Sequence, residues 1–221
     1  MAGKLIVIEG LDGSGKSTQI ELLKKRLEGY GSQIRQIKLP DYDSPSSALV
    51  KMYLAGDFGK LPSDVNAYAA SCFYAADRYA NYKIKWADDY NNGKCIIADR
   101  YTTSNAYHQS LKLPKEEWGY FFDWLEDFEY NKIGIPKPDI VIYLDMPIDI
   151  SQELMSKRYE GNQLKKDIHE VNVDYLNKCR EAALFSCKHY GWKLISCAEN
   201  GKPLPIKEIN NKIFRLVIEE L

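Results

Sequence analysis

The chain has 221 residues and is 45% hydrophobic, enough for one α/β domain to bury a full core. Its 30 Lys+Arg against 31 Asp+Glu give a net charge of −1, which argues against a general nucleic-acid-binding surface. The apolar runs are far too short to span a membrane and the first strand starts almost at the N-terminus, so neither a membrane anchor nor a signal peptide is expected. The cysteines (Cys72, Cys95, Cys179, Cys187, Cys197) are odd in number and form no C-x-x-C pair, as expected of reduced, mostly buried thiols in a cytoplasmic protein. Cys187 and His189 are too few to make a metal site.

Leu5, Ile6, Val7 and Ile8 form a short apolar run that predicts a strand buried on both faces of a parallel sheet. The next residues, Gly10, Leu11, Asp12, Gly13, Ser14, Gly15, Lys16, Ser17 and Thr18, contain G-x-x-x-x-G-K-[ST], the phosphate-binding loop. Glycines let backbone N–H groups converge on phosphate oxygens, and the loop opens a helix whose N-terminus favours anions. Lys16 has the reach to meet β- and γ-phosphates, and the Ser17 hydroxyl suits Mg²⁺. The alternative, a glycine-rich turn with no ligand, fits poorly with a strand before the loop and a helical pattern after it.

Ile20, Leu23 and Leu27 predict a helix over 17–27, ended by Gly29 and Gly31. A second strand is expected over 34–39, then a loop through Pro40 and Pro45 and a short helix over 47–54. Pro62 predicts the start of a long helix running to Asn91-Asn92-Gly93. Residues 95–98 read as a buried strand ending in Asp99-Arg100-Tyr101. Trp118, Phe121, Phe122, Leu125 and Phe128 form an apolar helix face, expected to be core or subunit interface. Residues 140–144 predict a fourth strand, stopped by Asp145-Met146-Pro147, with Asp145 expected in a turn or helix cap. A helix through Lys157, a Lys-rich mobile loop over 159–166, a helix over 167–189, a strand over 193–195 and a closing helix over 205–221 complete the chain. Strands alternating with helices specify a parallel sheet with right-handed crossovers. The expectation is one domain, residues 1–221, with a small lid at about 156–167.

The loop alone does not choose between kinases, GTPase switches, motors and ligases. The guanine-reading string Asn-Lys-x-Asp is absent. Ligands of such sheets bind beyond the carboxyl ends of the strands, where Asp99 and Arg100 suit a Mg²⁺-water ligand beside a phosphate clamp.

GLDGSGKST over 10–18, YAADR over 74–78, and Asp99-Arg100-Tyr101 with Ser104 resemble the thymidylate kinases in order and spacing over most of the chain. The resemblance implies a P-loop NTPase fold with a parallel sheet of about five strands and helices on both faces. It further implies phosphorylation of dTMP to dTDP by ATP with Mg²⁺, and a homodimer. Residue by residue, it implies that Asp12 contacts the deoxyribose 3′-hydroxyl, Tyr74 stacks on thymine and Arg78 hydrogen-bonds the base. Arg100 is implied to bind phosphate, Ser104, Asn105 and Gln109 to line the base pocket, and Tyr101 to close it. A buried Arg without a ligand would need a partner, and Asp77 and Asp88 are the nearby carboxylates.

Two departures stand out. Many members carry Phe-Pro-x-Arg after the second strand, with the arginine on the dTMP phosphate; here the same place reads Leu39-Pro40-Asp41-Tyr42. Lys38 and Lys51 are the candidate replacements. The catalytic arginine of the family sits in the loop or in the lid; Gly13 and Ser14 supply none, so Arg158 is the expected lid arginine. Ser196-Cys197-Ala198 is a candidate adenine-facing loop. The reading is a dTMP kinase whose catalytic groups are Lys16, Arg100, Arg158 and Asp12, with Ser17 and Asp99 toward Mg²⁺. The alternatives are a deoxynucleoside kinase, with Glu9 available as base, and a regulatory protein that hydrolyses ATP slowly.

Overall fold

The computed structural model describes residues 2–158 and 173–221, with the side chains of 62, 157 and 158 outside the description. Its centre is a parallel sheet of five strands in the order β2-β3-β1-β4-β5. The strands are β1 (Leu5–Glu9), β2 (Ile34–Lys38), β3 (Cys95–Asp99), β4 (Ile140–Asp145) and β5 (Lys193–Ser196). β1 lies between β3 and β4 in the register Ile6↔Ile97 and Ile6↔Ile140. Side chains alternate across a strand, so Ile6 and Ile8 point to one face and Leu5 and Val7 to the other. Both faces are covered, which is why the run is apolar throughout and fully buried.

On one face Ile6, Ile8 and Ile142 pack against α1 (Lys16–Gly29) and the closing helix α9 (Ile206–Ile218). On the other, Leu5, Val7 and Ile96 pack against Trp86 and Tyr101, while Tyr143 joins Phe121, Phe122 and Ala182. Trp86 comes from a π-helical turn over Tyr82–Trp86, Tyr101 from the turn between β3 and α5 (Thr103–Gln109), Phe121 and Phe122 from α6 (Trp118–Glu126), and Ala182 from α8 (Val173–Tyr190). The fold is therefore the α/β phosphate-loop fold that the alternating pattern implies.

Some boundaries differ from expectation. Pro62 starts only a short 3-10 turn (Pro62–Asp64); α3 runs over Ala67–Asn81, because the Asn66 side chain caps it by accepting from Ala69 N at 2.8 Å. The π turn then carries the helix into α4 (Ala87–Asn91). Likewise α6 passes into a π-helical stretch over Asp127–Ile133, closed by Gly134 at φ 78°. A hairpin of β6 (Ala198–Glu199) and β7 (Lys202–Pro203) follows β5, where the sequence pattern predicts only a loop. Short helix α2 (Ala48–Ala55) and helix α7 (Ile148–Arg158) complete the description. Except for its first residues, the expected lid lies outside the described residues.

Candidate active site

Residues 10–15 join β1 to α1 with the backbone bent inward. A side chain at Gly10 would place its Cβ 2.6 Å from Ser14 Oγ and 2.9 Å from the Leu144 carbonyl oxygen. Only glycine permits that approach at φ 150°. Gly15, at φ 87°, starts α1 without a side-chain cap, so the first-turn N–H groups remain available to an anion. Lys16 lies almost buried beneath them. Its Nζ donates to the carbonyl oxygens of Gly10 at 2.8 Å and Leu11 at 3.1 Å, and stands 3.9 Å from Asp12 Oδ1. Burial, with the Arg100 charge nearby, lowers its pKa to about 8. Ser17 and Thr18 are exposed at the mouth of the loop, and the Ser14 hydroxyl is buried with no hydrogen-bond partner among the described residues. Uncapped N–H groups, a buried ammonium and an orphaned hydroxyl together make a polyanion cradle.

The end of β3 completes it. The register Ile8↔Asp99 brings Asp99 and Arg100 beside Glu9 and the loop. Arg100 adopts φ 68°, a costly conformation for a residue with a side chain. Hydrogen bonds hold it there: Arg100 N donates to Ile8 O at 3.3 Å and Tyr101 N to Glu9 Oε1 at 3.2 Å. The turn sends the guanidinium over the loop, where Nη2 donates to Asp12 Oδ1 at 2.7 Å and Nη1 to the Tyr107 hydroxyl at 3.1 Å. Burial alone would raise the Asp12 pKa, but Arg100 and then Lys16 hold its carboxyl well below the usual carboxylate range.

Glu9 is fully buried under this arrangement. Besides Tyr101 N, its oxygens accept from the hydroxyls of Thr103 at 2.6 Å, Ser104 at 2.9 Å and Tyr107 at 2.7 Å. A carboxylate with its lone pairs so occupied anchors the start of α5 and is not placed to take a proton from a substrate hydroxyl. That weakens the deoxynucleoside kinase alternative.

Next to the cradle lies a cleft of about 560 Å³. Asp12, Tyr74, Arg78, Arg100, Tyr101, Ser104, Asn105 and Gln109, drawn from separate segments of the sequence, all line it. Its wall also includes Lys38, Tyr42, Tyr53, His108, Lys112, Tyr175 and Lys178, of which only Lys38 was singled out by sequence. His108 and Lys112 follow Ser104 at i+4 and i+8, a helical spacing that carries the signal. Arg78 pairs with neither Asp77 nor Asp88. Its Nε donates to Glu129 Oε2 at 3.3 Å and its Nη2 makes a close contact with Glu129 Oε1. Asp77 instead accepts from Asp41 N at 2.9 Å and from the Ser46 hydroxyl at 2.5 Å, tying the loop after β2 to α3. Glu129 falls four residues past Leu125 on the apolar helix face, a carboxylate that needs a buried partner.

Gln109 is buried, and its Oε1 meets no donor among the described residues. Tyr74 packs edge-on against Tyr53 with ring centres 6.3 Å apart, and burial pushes its phenol above the ordinary range. Tyr101 closes the floor, its hydroxyl donating to Pro136 O at 2.9 Å. Lys51 is exposed, bonds the Tyr42 carbonyl at 3.2 Å and does not line the cleft, whereas Lys38 does. Asp145 is neither turn nor cap: it receives Arg180 Nε at 2.6 Å and Nη2 at 2.8 Å, locking α8 to the end of β4. Cys197 is buried, and the described residues hold no cluster of three or more His, Cys, Asp or Glu side chains that could hold a metal. The Arg158 side chain lies outside the described residues.

The family model "Thymidylate kinase" matches residues 8–213. A thymidylate kinase of Mycobacterium tuberculosis is 32% identical over 164 residues, 71% of each chain. A probable thymidylate kinase of Pyrococcus horikoshii is 32% identical over 80% of this chain and 82% of its own. Among solved structures, thymidylate kinase from Candida albicans superposes with a TM-score of 0.70 at 25% identity, covering 99% of this chain and 92% of that one.

Proposed function

This chain belongs to the thymidylate kinase family and is a dTMP kinase, and from that premise we propose that its phosphate loop takes ATP while the adjoining cleft takes dTMP. The observation that carries the assignment is the edge offered by Arg78 and Gln109. Arg78 has only donors, with the Nε–Nη2 edge taken by Glu129, and Gln109 Oε1 is an acceptor without a donor. A thymine presents the complementary pair, a carbonyl oxygen beside an N–H. Tyr74 supplies the ring on which the base stacks. Asp12, drawn to Arg100, reaches the sugar hydroxyl, and Tyr101, Ser104 and Asn105 close the pocket.

The reaction is an in-line transfer of the γ-phosphoryl group to the dTMP phosphate, already an anion that needs no general base. Positioning and charge neutralisation do the work. Lys16 leaves the loop carbonyls for the β- and γ-phosphates, Arg100 holds the acceptor phosphate, and Arg158 from the lid at about 156–167 covers the transferring group. Lys38 takes the place of the arginine missing after β2. Mg²⁺ accompanies ATP in this family generally. Its fit here rests on the oxygen-only donors Ser17 and Asp99, the latter a buried carboxylate whose field acts on Lys16. Ser17 and Asp99 would hold the ion, which when bound would supply charge neutralisation to the phosphates.

No described helix is long and apolar enough to cross a membrane. We place the enzyme in the cytoplasm as a homodimer acting on small molecules rather than nucleic acid. The exposed stripe Tyr68, Cys72, Ala76 and Tyr79 along α3 supports self-association. Sedimentation equilibrium at twice the chain mass is the expected result, and a monomer at micromolar concentration contradicts it. Calorimetry tests the cleft: Arg78→Lys is expected to weaken dTMP at least ~10-fold and ATP hardly at all, because an ammonium lacks the planar fork. Equal dTMP affinity removes Arg78 from the base site.

A further inference from the structure

Glu129 is a fully buried carboxylate that the reaction described above does not use. Both of its oxygens go to Arg78, itself only 3% exposed. The backbone of Glu129 is fixed as well. It sits in the π-helical stretch after α6, and its carbonyl oxygen accepts from Gly134 N at 3.1 Å and Ile135 N at 3.2 Å. A buried ion pair is weak evidence for stability, since apolar replacements often serve as well. What singles this one out is which part of the guanidinium it occupies. Glu129 takes the Nε–Nη2 edge, so the fork cannot swivel, and the Nη1 end donates to no acceptor among the described residues. The pair also cancels the Arg78 charge, so the cation that lines the cleft does not draw phosphate into the base pocket.

We infer that Glu129 is a positioning residue that sets base specificity. It aims fixed donors at the 4-position of the pyrimidine, which admits a carbonyl oxygen there and rejects an amino group. A buried site that demands an acceptor penalises a ligand offering a donor, because both donors then lose their partners. This inference rests on the reading of Arg78 as the base-contacting arginine.

The test is steady-state kinetics of Glu129→Gln with dTMP and dCMP as acceptors, beside Arg78→Lys and a thermal melt. Loss of the clamp is expected to raise the dTMP KM at least ~10-fold, leave the ATP KM unchanged and narrow the dTMP-over-dCMP preference at least ~10-fold. A Glu129→Gln enzyme with wild-type dTMP KM and wild-type preference overturns the inference, whatever its melting temperature. If Glu129→Gln yields no folded protein, Glu129→Asp carries the test. It keeps the charge but withdraws it by one methylene, and a rise of at least ~3-fold in dTMP KM at constant ATP KM is expected. Wild-type KM and preference in folded Glu129→Asp overturn the inference too. If Arg78→Lys itself leaves dTMP KM unchanged, the underlying reading of Arg78 fails and Glu129 falls with it.

Discussion

The two halves of the site are built from different materials. On the reading proposed above, the donor half is one unbroken stretch, residues 10–18, which offers the uncapped first-turn N–H groups of α1 and in which Gly10 permits the close approach to Ser14 and Leu144. The acceptor cleft is assembled from side chains on α2, α3, α5 and α8 and on the loops after β2 and β3, several held by a partner from elsewhere: Arg78 by Glu129, Asp77 by Asp41 and Ser46, Arg100 by Asp12 and Tyr107. A main-chain cradle recognises any polyphosphate, because backbone donors carry no side-chain information. A cleft of paired side chains distinguishes one base from another. Chemistry should therefore fail when the first is damaged, and choice of acceptor when the second is.

The sharpest break falls on the donor side. Lys16→Ala removes a buried cation from the transferring phosphates and is expected to lower kcat by about 10²–10³-fold. Single-turnover measurement checks this, and a near-normal kcat would move catalysis elsewhere. Arg158→Ala, at the end of α7, is expected to cut kcat at least ~100-fold with little change in ATP Kd, because that contact forms mainly in the transition state. Unchanged chemistry with a lowered Tm would make Arg158 a helix-end charge instead.

The acceptor side responds in binding rather than in chemistry. Tyr74→Ala loses a stacking partner worth about 1–3 kcal/mol, hence roughly 5- to 150-fold in dTMP affinity with ATP affinity unchanged. Calorimetry showing equal dTMP affinity would place Tyr74 in the core. The smallest effect is a pH dependence of the donor loop. Lys16 titrates near 8 in the folded protein against 10.5 ordinarily, through burial and then Arg100. Between these values the folded chain has released a proton that the unfolded chain keeps, so this group makes stability rise with pH across that window. ATP favours the charged form, so its affinity should fall as pH rises above about 8, by up to tenfold per pH unit. Calorimetry in buffers of different ionisation heat should detect proton uptake on ATP binding at about pH 9, absent in Lys16→Arg. No uptake in the wild type contradicts the shifted lysine.

The same contrast explains what could be read from sequence. The loop, the sheet and the Asp99-Arg100 turn were legible because contiguous residues encode them through glycine geometry and apolar runs. Arg78 was legible as a buried cation, but its partner was not: Glu129 lies 51 residues away, and only packing brings the two helices together. Asp145 was misread for the same reason, since Arg180 reaches it from α8. The start of α3 was misread because Pro62 resembles a helix start, whereas the Asn66 cap decides it.

The central claim is that the cleft beside the loop receives a nucleoside monophosphate and hands its phosphate, not its sugar, to the γ-phosphoryl group. Product analysis with purified protein, ATP and Mg²⁺ tests this most directly, with dTMP and thymidine offered as competing acceptors. The account predicts dTDP from dTMP, thymidine as a poor acceptor, and little ATP hydrolysis when neither is present. Faster phosphorylation of thymidine than of dTMP would contradict it.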